Sequence, residues 1–274
     1  MHMKSFTHGS LCNTASGCLG SRDLHHLFLT SLPAVILHGH TSHPIGPSTY
    51  GSSAAPTQEY AFDAVLLDFD GTILDTTQAV IKFWHSIAAD LGINPSTVLS
   101  TSHGCRTIDT LALYDPTKAN WDYVSAMESR IPYEFSTGVN VSENARARWG
   151  IVTSGTQALI NGWIDRLGLV RPSILVTAKD VQIGKPDPQG YLLGRDRLGL
   201  GVEKSRVLVV EDAPAGIRAG KAAGFEVLAV RTSHSLEELS LAGPDWIVED
   251  LRSVRVVGVQ GGWLGLRLGG LLFR

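Results

Sequence analysis

Short, unbroken apolar runs punctuate the chain from residue 60 onward. Ala64-Val65-Leu66-Leu67 is the first. Gly150-Ile151-Val152, Ile174-Leu175-Val176, Val207-Leu208-Val209-Val210, Val227-Leu228-Ala229-Val230 and Trp246-Ile247-Val248 follow. A run this short, with no polar alternation, predicts a strand covered on both faces. Helical patterns lie between the runs, among them residues 156–167 and 214–223. Strands alternating with helices predict an α/β fold, a doubly wound and mostly parallel sheet. Ligands in such sheets collect beyond the carboxyl ends of the strands, so the residues directly after each run are the candidates for chemistry.

One stretch breaks the alternation. From 76 to 135 the pattern is helical without a strand. Val80, Phe83, Trp84, Ile87 and Leu91 share one helical face, with Gly92 as a C-terminal stop. Ile108, Leu111 and Ala112 make a second face, and Trp121, Val124 and Met127 begin a third. The predicted organisation is therefore an α/β core at 60–75 and 141–255, with a helical cap at 76–140 inserted after the first strand. Residues 1–59 hold seven of the ten His and only four charged residues, Lys4, Arg22, Asp23 and Glu59. Lacking any amphipathic period, they are expected to be a disordered extension. Val256 to Arg274, with six Gly and no acid, is expected to be an irregular tail.

Composition narrows the class. The 274 residues are 43 % hydrophobic and 18 % charged, a globular balance with ample material for a core. A net charge of −3 with scattered Lys and Arg leaves no footprint for nucleic acid or an anionic membrane. Leu27 to Leu37, the longest apolar-leaning stretch, is broken by Ser31 and Pro33 and is too short to span a bilayer. Cys12, Cys18 and Cys105 cannot form a disulfide framework, and Cys12, Cys18, His25 and His26 lack zinc spacing. A monomeric cytoplasmic protein without nucleic-acid or membrane partners is expected.

Four strand ends carry chemistry. The first run leads into Asp68-Phe69-Asp70-Gly71-Thr72. Carboxylates two apart at a strand end meet at one site, where they can hold Mg²⁺ or divide nucleophilic and proton-transfer work. Thr153-Ser154-Gly155-Thr156 opens a helix with hydroxyls and N–H groups that suit a phosphate oxygen, although Ser and Thr cap helices everywhere. Gly184-Lys185-Pro186-Asp187-Pro188 holds a lysine in a rigid loop; among carboxylates its ammonium neutralises charge, and elsewhere it is a solvated side chain. Glu211-Asp212-Ala213-Pro214-Ala215-Gly216 places two acids at a strand end, fit to complete an oxygen shell around Mg²⁺ or to cap the next helix.

In this order, the four motifs resemble the haloacid dehalogenase-like (HAD-like) superfamily of phosphohydrolases, over residues 62 to 250. The resemblance implies a Rossmannoid core and a Mg²⁺ cofactor. It implies that Asp68 is a nucleophile forming an aspartyl-phosphate and that Asp70 protonates the leaving oxygen and then activates water. Thr153 and Ser154 grip the phosphoryl group, Lys185 orients and neutralises it, and Glu211 and Asp212 hold Mg²⁺ with Asp68 and the Asp70 carbonyl. Within the superfamily, His103-Gly104-Cys105-Arg106-Thr107-Ile108-Asp109 resembles the lid motif of a fungal branch acting on glycerol phosphate and 2-deoxyglucose 6-phosphate. The stretches Thr177 to Val181 and Glu211 through Gly224 are similar to that branch too. By this resemblance Arg106, with His103 beside it, reaches from the cap to a small sugar or polyol phosphate. A phosphoglucomutase-like transferase or a catalytically silent truncated relative would share these residues.

The same resemblance implies more chain than the 85 residues from Asp68 to Thr153. Ser136 to Arg148 is polar, with Val139 and Val141 its only sizeable apolar residues. A shortened return from the cap, lacking one sheet-covering helix, is the expectation, and an imperfect gene model or splice variant its expected origin.

Overall fold

The computed structural model describes residues 58–135, 149–201, 205–260 and 263–273. The polar return at 136–148 and the N-terminal segment up to residue 57 lie outside the described residues. A six-strand sheet forms the centre: β2 (Ala64–Leu67), β3 (Trp149–Val152), β4 (Leu175–Val176), β5 (Val207–Glu211), β6 (Glu226–Val230) and β7 (Trp246–Val248), in the order β4-β3-β2-β5-β6-β7. Every neighbouring pair is parallel. The strand period sorts each run between two cores. Val65, Leu67, Leu208, Val210, Leu228 and Val230 face one side, while Ala64, Leu66, Val207, Val209, Val227 and Ala229 face the other. Both sides are dry, which is why the runs carry no polar alternation.

On the second face lie α7 (Gln189–Arg197), α8 (Pro214–Ala222) and α9 (Leu236–Leu241), through Tyr191, Ile217 and Leu239. The first face packs against α6 (Gln157–Leu167) and against five helices between β2 and β3. These are α1 (Thr77–Leu91), α2 (Pro95–Ser102), α3 (Thr107–Tyr114), α4 (Trp121–Glu128) and α5 (Ile131–Glu134). Phe83, Trp84 and Ile87 of α1 are buried, with Val80 and Leu91 packed at the margin, and Gly92 ends the helix in the left-handed conformation. At Gly162 on α6 an added Cβ would stand 2.9 Å from Pro132, so α5 rests directly on α6.

The tail corrects the sequence reading. Val254–Gln260 (β8) and Trp263–Leu268 (β9) form an antiparallel hairpin, and β1 (Gln58–Phe62) adds to β9 from the other side. Leu264, Leu266 and Leu268 alternate inward, so Leu-Gly-Leu-Arg-Leu is a half-buried strand despite its glycines. Beyond it, Leu272 N–H donates to the Ile247 carbonyl and Ile247 N–H to the Phe273 carbonyl, at 2.8 and 3.2 Å. The tail therefore extends the fold, and among the described residues the first strand starts at Gln58, two residues before the expected core boundary. Among the described residues no helix is long and apolar enough to cross a membrane.

Candidate active site

Sheet register brings the motifs together. Leu67 pairs with Ile151 on one side and Val210 on the other, so Asp68, Val152 and Glu211 leave the sheet at one level. The chain leaves β2 toward β3 on one side and leaves β5 toward β6 on the other, which places the β2–β5 boundary at the topological switch point where α/β sheets bind ligands. Asp68 N–H still donates to the Val210 carbonyl, at 3.0 Å, and Gly71 then takes the left-handed φ of +82° that turns the chain out. A side chain at Gly71 would displace the Asp212 carboxylate, because an added Cβ would stand 2.1 Å from Asp212 Oδ2.

Lys185 sits at the centre. Its Nζ donates to Asp68 Oδ1 at 2.5 Å, to Glu211 Oε1 at 2.6 Å and to the Val152 carbonyl at 3.2 Å. All three charged side chains are buried. Burial alone would lower the lysine pKa, but the Asp68 and Glu211 charges outweigh it and hold the ammonium above its ordinary value. Asp68 is pushed well up, by burial first and by Glu211 and Asp212 next, with Lys185 opposing. Burial and then Glu211 raise Asp212 to about 7. Oxygens of Asp68, Glu211 and Asp212 lie within 4.8 Å of one another. Three buried carboxylates facing one ammonium leave excess negative charge, and an all-oxygen donor set suits a hard divalent cation; these residues fit a metal.

Asp70 turns elsewhere. Its side chain accepts from the Thr76 hydroxyl at 2.8 Å, outside the three-carboxylate cluster. Burial raises its carboxyl from 3.8 to about 6, against the Thr76 hydrogen bond and the Lys185 charge. Thr153 is buried and its Oγ1 accepts from Gly155 N–H at 3.0 Å, while the Ser154 hydroxyl donates to the Gly104 carbonyl at 3.0 Å. Asp68, Asp70, Thr153, Ser154, Lys185, Glu211, Asp212 and His103 all line one cavity of about 100 Å³. The His103 ring meets His234 edge to face at 5.6 Å.

Arg106 lies apart from that cavity. It is 7 % exposed and binds Asp109 bidentately at 2.7 and 2.8 Å. Its remaining N–H groups donate to the carbonyls of Ala178, Val181 and Gln182. All five donors are thereby committed, and the side chain ties the start of α3 to the loop ahead of Lys185. Gly184 gives it room, since a Cβ there would stand 2.8 Å from Arg106 Nε. The Arg106 donors expected to meet substrate are taken up in this arrangement by the Asp109 carboxylate and by protein carbonyls.

Four site groups escaped sequence reading. Tyr191 donates to Glu211 Oε1 at 2.5 Å, Ser233 donates to Asp212 Oδ2, Thr76 holds Asp70, and Glu128 lines the cavity. Glu128 alone left a signal, as a charged residue four positions after Val124 on an apolar helical face.

Paired carboxylates, a central lysine and two further acids at the strand ends of a parallel sheet define a hydrolase class. The haloacid dehalogenase-like hydrolase family matches residues 65–230, and the chain belongs to that family. Among its relatives is glycerol-1-phosphate phosphohydrolase 2 of Saccharomyces cerevisiae, 38 % identical over 213 residues that cover 72 % of this chain and 85 % of the relative. The 2-deoxyglucose-6-phosphate phosphatase 1 of the same organism is 34 % identical over 226 residues, 73 % of this chain and 92 % of that one. Hexitol phosphatase A of Escherichia coli is 34 % identical, with 70 % and 92 % covered. The crystal structure of CbbY from Rhodobacter sphaeroides in complex with phosphate shares the fold, with a TM-score of 0.55, 20 % identity and 73 % and 98 % coverage.

Proposed function

We propose that the chain is a Mg²⁺-dependent phosphomonoester hydrolase of small sugar or polyol phosphates, acting through an aspartyl-phosphate. The observation that carries the reading is the buried Asp68–Lys185–Glu211 cluster with Asp70 beside it at about 6. The relatives' names supply the substrate class.

Asp68, Glu211 and Asp212 are the residues that would hold Mg²⁺, whose chemistry there is neutralisation of phosphoryl charge. Lys185 holds Asp68 in place and adds a positive charge beside the phosphoryl oxygens. Asp68 attacks phosphorus, the ester P–O bond breaks, and protonated Asp70 gives its proton to the leaving oxygen. Asp70, now a carboxylate, takes a proton from the water that attacks the aspartyl-phosphate. The P–O bond to Asp68 breaks, inorganic phosphate leaves, and both carboxyl groups return to their starting states. A carboxyl near 6 reaches both forms close to neutral pH, which this double role requires.

The test is phosphate release from glycerol phosphate, 2-deoxyglucose 6-phosphate and hexitol phosphates, with Mg²⁺ or with EDTA. Metal-dependent release that Asp68→Asn abolishes is expected. Release that survives in Asp68→Asn would refute the nucleophile.

A further inference from the structure

A further buried carboxylate lines the same cavity and takes no part in the proposed chemistry. Glu128, the last residue of α4, is 2 % exposed. Its Oε2 accepts from Thr156 N–H at 2.7 Å, and it also bonds to the Thr107 and Thr156 hydroxyls; burial pushes its carboxyl up, and these hydrogen bonds to the charged form oppose that rise. No lysine or arginine pairs with it among the described residues. Lys185, the lysine lining the cavity, is engaged by Asp68 and Glu211, and Arg106 has every donor committed outside it. His103 is held toward its neutral form by burial and by His234.

A substrate carrying an anion besides its phosphate would therefore meet a carboxylate here and, among the described residues, no free cation. Hydroxyl groups would be received differently. Glu128 offers acceptor oxygens, and the cavity-lining Thr77 Oγ1 is buried without a hydrogen-bond partner. Such an orphan is costly when buried, and a ligand hydroxyl would satisfy it.

We propose that Glu128 is a specificity-determining residue that selects phosphate esters with neutral, hydroxyl-bearing leaving groups and rejects those carrying a second anion. This inference rests on the phosphatase reading. Like-charge contact in a buried site disfavours the wrong ligand by about tenfold or more.

The test compares kcat/KM for glycerol phosphate and for phosphoglycerate, in which a carboxylate replaces one hydroxymethyl group, on the full chain with Mg²⁺. Wild type is expected to prefer the neutral ester by about tenfold or more. Glu128→Gln, which keeps an acceptor for Thr156, is expected to lose most of that preference, mainly through a lower KM for phosphoglycerate. Glu128→Asp, which keeps the charge, is expected to retain it. The ratio of two substrates on one preparation is independent of the folded fraction. Absence of a preference in wild type, an unchanged ratio in Glu128→Gln, or a folded Glu128→Gln inactive on both esters overturns the inference and leaves the phosphatase reading standing. Release from neither ester, nor from any sugar phosphate, by wild type overturns both.

Discussion

Asp70→Asn is expected to stabilise the metal-free protein near neutral pH and to leave it unchanged in acid. Burial lifts the Asp70 carboxyl from 3.8 to about 6. A raised carboxyl binds its proton more tightly in the folded state, so the sign follows directly. Below about pH 4 both states are protonated and nothing is lost; between about 4 and 6 the folded state loses ground, and above 6 the whole penalty is present. Two pKa units at about 1.4 kcal/mol each set an upper bound of about 3 kcal/mol. Asparagine matches the carboxyl in size and keeps an acceptor for the Thr76 hydroxyl, bonded at 2.8 Å. A gain of about 1–3 kcal/mol therefore raises Tm by roughly 3–8 °C at about pH 7.5. Calorimetric melts in EDTA, from about pH 4 to 7.5, would read the difference. A destabilised Asp70→Asn near neutral pH, or an equal gain at about pH 4, would refute the reasoning. Activity is expected to fall in the same variant, since the proton donor is gone.

Lys185→Met leaves Asp68 and Glu211 buried without their cation; a loss of about 3–5 kcal/mol is expected in metal-free urea melts, and a change below about 1 kcal/mol would contradict the central role of the ammonium. Gly216→Ala places a Cβ 1.7 Å from Glu211 Oε1, so the carboxylate must move; loss of Mg²⁺-dependent activity is expected, with native circular dichroism retained. Arg106→Ala removes five committed donors and is expected to lower stability by about 2–3 kcal/mol without changing the order of preferred substrates. A tenfold rise in KM at unchanged Tm would instead make Arg106 a substrate ligand.

The sheet was legible in the chain because a parallel strand covered on both faces needs an unbroken apolar run, and each run here is one strand. The strand-end motifs were legible for a related reason. Parallel strands all present their carboxyl ends to one edge, so residues directly after the runs must converge there. Alternation of Leu264, Leu266 and Leu268 was equally present in the tail, but six glycines obscured it until β1 and β8 were seen to flank that strand. Other features depend on distant contacts. Arg106 looks like a free cation in the chain; Asp109 takes two of its donors, and carbonyls 72 to 76 residues away use up the rest. Tyr191 meets Glu211 from α7, and Glu128 finds the first turn of α6 from α4. Burying a polar group requires a partner of matching chemistry, and which distant backbone supplies it depends on how the helices pack against the sheet. The sequence by itself determined the strands and the chemistry at their ends; tertiary packing decided which polar side chains remain free to meet a substrate.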